Sequence, residues 1–173
     1  MSLAIYRGIG SSAAVDWSRA VATLAGAQTS VQLGHDFPGQ VVAYALSDTG
    51  GPPAISVRLV LVDEYGQVLP VLDRPSDLCL DAGLSGWRLS WRLSVSEGCD
   101  EPEQFEVLRD DGAGLVAVLS LAAEGPGSDY RVDLTGQTAA RRWAVSAKKG
   151  SYAGPLSLPL IVPQGQPVPP VIL

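Results

Sequence analysis

The chain has 173 residues and a mass of 18.0 kDa, with 46% apolar and only 17% charged residues, enough to bury one ordinary core or two small ones and too apolar for a disordered protein. Nineteen Gly and thirteen Pro are spread without a triplet period, which excludes a collagen-like helix and argues against a helical bundle. The net charge is −6, and only Lys148 and Lys149 of the twelve basic residues are lysines, so no basic stripe is there to neutralise phosphates and no nucleic acid is expected as a partner.

The segment Met1–Gly8 lacks a basic stretch followed by an apolar core and a small-residue cleavage site, so no signal peptide is expected. No apolar run approaches the roughly 20 residues of a membrane span. Short apolar runs bounded by turn residues predict strands over 3–6, 20–24, 29–33, 41–47 and 55–62. Cys79 and Cys99 permit one disulfide, which rests on the separation of their Cα atoms. The clearest strand is 87–95, where Trp87, Leu89, Trp91, Leu93 and Val95 alternate with Arg88, Ser90, Arg92 and Ser94, giving one core face and one wet face. Arg88 and Arg92 are expected to pair with acidic residues of neighbouring strands, each exposed pair contributing at most about 1 kcal/mol. Further strands are predicted over 104–108, 115–121, 130–134, 142–147 and 157–162, separated by Asp110-Asp111-Gly112, Glu124-Gly125-Pro126-Gly127 and Lys149-Gly150 turns. No stretch of about 12 residues keeps a helical period, so an all-β fold is expected.

The two halves of the chain resemble one another. Leu3-Ala4-Ile5-Tyr6-Arg7-Gly8 aligns with Phe105-Glu106-Val107-Leu108-Arg109-Asp110, Tyr44-Ala45-Leu46-Ser47 with Trp143-Ala144-Val145-Ser146, and Ser56-Val57-Arg58-Leu59-Val60 with Ser157-Leu158-Pro159-Leu160-Ile161. The three offsets are nearly equal, which defines a divergent repeat of about 100 residues and predicts two β domains in tandem.

The second repeat resembles a fibronectin type III module, an immunoglobulin-like β-sandwich of seven strands. The matching features are Pro75-Ser76-Asp77-Leu78 opening strand A, Leu89-Ser90-Trp91 on strand B, Phe105–Arg109 on strand C, Trp143–Ala147 on strand F and Ser157-Leu158-Pro159 entering strand G, over about residues 73–163. The resemblance implies that Trp91 is the tryptophan buried between the sheets. The tyrosine of the family just before strand F is absent, Arg141 standing there. The expected core is Trp91, Leu89, Phe105, Val107, Trp143 and Val145, with Tyr44 in the first repeat. The expected division is a partial domain over 1–68, a complete domain over 69–163 and a Pro-rich tail over 164–173.

Aligned on this module, the first repeat begins at strand C, so strands A and B are absent and an apolar face and an unpaired edge are left exposed. Leu3, Ile5 and Trp17 are therefore candidate interface residues. From Gly150 to Leu173 there is no Asp, Glu, Lys or Arg, and the tail ends in Val168, Val171, Ile172 and Leu173, which makes it a candidate donor for a neighbouring subunit or a groove on its own chain.

Catalytic chemistry finds little support. His35, the single histidine, lies beside Asp36 in a predicted turn, and adjacent strand residues point to opposite faces. One His and two separated Cys cannot close a zinc site, which needs four ligands. Asp63-Glu64, Asp100-Glu101-Pro102-Glu103 and Asp110-Asp111 fall at strand reversals, and neither Gly112-Ala113-Gly114 nor Lys149-Gly150-Ser151 continues into a nucleotide fingerprint. No catalytic, cofactor or metal site is expected. The expected function is that of a non-enzymatic structural protein assembling by strand or apolar-patch complementation with other copies. Modules resembling these occur on virion proteins of tailed bacteriophages, so the resemblance implies a tail, decoration or fibre component that meets neighbouring virion proteins and is located in the virion. The alternative is an extracellular carbohydrate- or receptor-binding module that uses Trp17 and Tyr152 on a host-surface glycan.

Overall fold

The structure is a computed structural model and describes residues 2–25, 28, 30–34, 37–48, 50–83, 86–125, 127–134, 140 and 142–162, with side chains also left aside at 82 and 83. Its regular elements are antiparallel strands and one short 3-10 turn, Ser12–Ala14. The all-β class expected from the alternation of apolar and polar residues is what forms. The described residues of Met1–Val71 and Ser96–Asp100 make one compact unit, and those of Leu72–Val95 and Glu101–Leu173 make a second.

In the first unit, β1 (Ser2–Ile9), β2 (Val15–Asp16), β3 (Ala22–Ala25), β4 (Val41–Ser47), β5 (Ser56–Val62) and β6 (Val68–Leu69) form a single sheet in the order β2-β1-β4-β5-β6, with β3 on the same edge of β1 as β2. Paired residues put Ala4, Tyr6, Gly8, Ala43, Ala45, Val57 and Leu59 on one face. That face is covered by Val15, Trp17, Ala54, Val71 and Cys99. Gly8 is required there, because a Cβ on it would lie 2.3 Å from the carbonyl oxygen of Ala14.

The residue boundary near 68 shifts to 71, and Ser96–Asp100, expected in the second domain, belongs to the first unit. Main-chain pairing explains this: the Leu59 N–H donates to the Gly98 carbonyl at 3.0 Å and the Asp100 N–H to the Val71 carbonyl at 2.7 Å. The Asp100 carboxylate accepts from the Val71 N–H at 3.0 Å and from Arg58 Nη2 at 3.0 Å. Gly98 holds φ +86 against the Leu59 backbone, a conformation and a closeness that suit glycine.

The second unit is a two-sheet sandwich. The strands β7 (Ser76–Gly83), β8 (Gly86–Arg92) and β11 (Asp129–Asp133) pair in the order β11-β8-β7; β9 (Gln104–Asp110), β10 (Val116–Ala122), β12 (Arg142–Lys149) and β13 (Tyr152–Leu156) pair in the order β10-β9-β12-β13, with β14 (Leu160–Ile161) also on β12. Leu89, Trp91, Phe105, Val107, Trp143 and Val145 fill its core, each at most 2% exposed. Trp91 stacks on Tyr130 at 5.8 Å and meets the edge of Phe105 at 5.6 Å. The Tyr130 hydroxyl accepts the Glu124 N–H and donates to the Gly125 carbonyl, tying the turn before β11 to the core.

On the wet face, Arg88 pairs with Asp133 and Arg92 with Asp129, both at 2.9 Å, as the alternation of strand 87–95 requires. Among the described residues, 30–34 form no strand where one is expected over 29–33, and β13 appears between the expected Lys149-Gly150 turn and the strand expected over 157–162. Cys79 and Cys99 are not bridged: Cys79 lies on β7 with its thiol 3.5 Å from Asp81, and Cys99 packs into the first unit.

Candidate interaction surface

The aligned repeats pair in the same register. Ile5 stands opposite Leu46 and Arg7 opposite Tyr44 across β1 and β4, just as Val107 stands opposite Val145 and Arg109 opposite Trp143 across β9 and β12. The correspondence read from sequence therefore carries Leu3, Ile5, Tyr44 and Leu46 onto Phe105, Val107, Trp143 and Val145. In the second unit those four side chains face the sheet β11-β8-β7 and are buried. In the first unit their counterparts are only half-buried. No strand of the first unit lies over them among its described residues.

What covers this face in part is the stretch on either side of the turn before β4. Phe37 lies under the Arg7 guanidinium at 5.1 Å, and Val42 and Val62 are buried at that end of the sheet. At the other end an open groove of about 310 Å³ remains, lined by Ile5, Leu24, Val31, Leu33, Tyr44 and Leu46. Ser30, Ser56 and Arg58 add polar atoms. The groove crosses four neighbouring strands: Leu24 on β3, Ile5 on β1, Tyr44 and Leu46 on β4, and Ser56 and Arg58 on β5. An aliphatic, aromatic-containing concavity with a few donors at its rim is suited to binding an apolar segment.

Of the expected interface residues, Leu3 and Ile5 are on this face. Trp17 is on the opposite one, where its ring packs 5.1 Å from Tyr6. Tyr44, expected in a core, lines the groove instead, because Tyr6, Val15 and Trp17 fill the alanine face of β4 and leave its bulky face open. Val168, Val171, Ile172 and Leu173 lie outside the described residues, as do His35 and Asp36. Tyr152 packs against the core of the second unit.

The acidic residues at strand reversals have structural work. Asp63 Oδ1 accepts the Tyr65 and Gln67 N–H groups at 2.9 and 2.8 Å. Asp110, 2% exposed, accepts the Gly112 and Gly114 N–H groups at 2.6 and 2.9 Å and pairs with Arg142 through Nε at 2.8 Å. The Arg142 hydrogen bond and then the two N–H groups hold its carboxyl down at about 2. Sequence reading placed Asp110 in a turn and missed the arginine 32 positions later. Among the described residues no three His, Cys, Asp or Glu side chains converge as metal ligands, and no helix is long and apolar enough to cross a membrane. Compared with known proteins, the chain matches no family model and no curated sequence significantly.

Proposed function

We propose that the protein is a non-enzymatic building block that assembles with other copies through the open face of its first unit. One observation carries this reading: the same sheet, in the same register, has its inner face covered by three strands in the second unit and by none among the described residues of the first. Half-buried Leu3, Ile5, Tyr44 and Leu46 keep apolar surface in contact with water. Removing about 100 Å² of such surface stabilises an assembly by about 2.5 kcal/mol, and grooves of this kind mark interaction sites. Each unit is read as a fibronectin type III-like module, the first matching it from strand C onward. The further assignment to the virion of a tailed bacteriophage, beside neighbouring tail or decoration proteins, rests on the resemblance of those modules alone.

Light scattering over a range of concentrations, followed by negative-stain imaging of the same sample, tests the reading. Species heavier than the 18.0 kDa monomer that dissociate on dilution, or regular rings, tubes or filaments, are expected. A monomer at every concentration would refute assembly between copies.

A further inference from the structure

We infer that the groove of the first unit receives the proline-rich segment Val168–Leu173 of a neighbouring copy, laid across the strands in a polyproline-like conformation. The inference rests on the assembly reading and names the partner of that same surface.

The groove lies on a sheet face, and the strands beneath it already pair with one another through continuous registers. Its occupant therefore has no ladder to complete. A segment with prolines at 169 and 170 lacks N–H groups at those positions, which bars it from a sheet centre but costs nothing on a face. Its carbonyls remain solvated in the polyproline conformation and can accept hydrogen bonds from donors at the groove rim, where Ser30, Ser56 and Arg58 stand. Proline-rich segments dock in aromatic-lined grooves in this way, and Tyr44 supplies the ring.

Size and charge agree. Four strands about 4.8 Å apart present roughly 14–19 Å of surface, and six residues at about 3.1 Å each span about 19 Å, leaving 163–167 as a connector. The groove volume of about 310 Å³ is about twice that of a cavity of roughly 150 Å³ that holds a benzene-sized group, room for two of the side chains of Val171, Ile172 and Leu173. The segment carries no charged side chain, so none has to leave water for an apolar site.

The test compares the full chain with one ending at 167 and adds back a labelled synthetic peptide of residues 163–173. The full chain should assemble and the shortened chain should not. The peptide should bind the shortened chain, perturb the resonances of Ile5, Leu24, Tyr44 and Leu46, and bind at least about tenfold more weakly when it carries Ile172→Asp, a change that leaves the folded protein untouched. Assembly that survives the truncation, or peptide contacts elsewhere, overturns the inference; if Leu46→Asp in a folded chain then abolishes that assembly, the proposed function stands with a different occupant. A full chain that remains monomeric while its own tail perturbs the groove overturns the assignment to a neighbouring copy and the assembly reading together.

Discussion

Replacing Trp91 by Phe isolates two opposing terms at the centre of the second unit. Trp91 is 2% exposed, and its Nε1–H is buried with no hydrogen-bond acceptor among the described residues. An orphaned buried donor costs about 1–3 kcal/mol. Phe removes that donor, but it also removes two ring carbons, worth about 1.6 kcal/mol at about 0.8 kcal/mol per buried carbon. The two nearly offset, so Trp91→Phe should change stability by no more than about 1 kcal/mol. Trp91→Ala keeps the benefit but loses the ring contacts with Tyr130 and Phe105, each worth about 0.5–1.5 kcal/mol, and should fall in the usual range of about 3–5 kcal/mol for such truncations. Urea unfolding followed by far-UV circular dichroism, with amide exchange at Val107 and Val145 to report on the second unit, measures both. A loss of 3 kcal/mol or more in Trp91→Phe would show that the indole N–H has a partner in solution, such as an internal water, and would sink the reasoning.

Other consequences follow from the same geometry. Because the folded Asp110 carboxyl titrates at about 2, below its ordinary value, its stabilisation is complete above about pH 4 and is lost as pH falls toward 2; Asp110→Asn should flatten acid unfolding in that window, and an unchanged profile would remove the Arg142 pair from the account. Gly8→Ala should destabilise the first unit by about 1–3 kcal/mol, since the added carbon meets Ala14 backbone, and a thermal melt that does not move would refute that contact. The Cys79 thiol is pushed up by desolvation and by the hydrogen bond and charge of Asp81, so its alkylation should accelerate only above the ordinary thiol range, and Asp81→Asn should lower that threshold. Reducing agent should leave the melting temperature unchanged, because Cys79 and Cys99 are not bridged; a shift would reveal a disulfide.

Local signals carried far in this chain where the alternation is strong. Residues 41–47 are read from their apolar run and form β4 with the same limits. The repeat, found by matching three short stretches, predicts partners across β1 and β4 that recur across β9 and β12. The segment 29–33 has strand-like composition, yet 30–34 form no strand, since a strand needs a neighbour to satisfy its N–H and C=O groups and composition cannot supply one. β13 is not expected from sequence, because Gly154 and Pro155 interrupt its alternation; Gly154 is there because a Cβ would sit 2.9 Å from Leu72. Alternation gave two faces to β4, but which of them is covered depends on distant Tyr6, Trp17 and Val71, and so Tyr44 was misplaced. The attachment of Ser96–Asp100 to the first unit depends on hydrogen bonds to Leu59 and Val71, which no local pattern encodes.

The sheet built on β9 and β12 is blunted at both margins. Its pairing between β9 and β10 slips between Ala117 and Leu119, a bulge that twists the outer strand out of line. On the other side, Pro155 lies within β13 and Pro159 just before β14, and proline within a sheet is confined to such edges. A protein that gathers in many copies risks runaway growth, each sheet templating the next into an insoluble fibre. These margins are poor templates, so the assembly proposed above would grow by docking across faces, where contact is finite and saturable, and not by endless lateral extension.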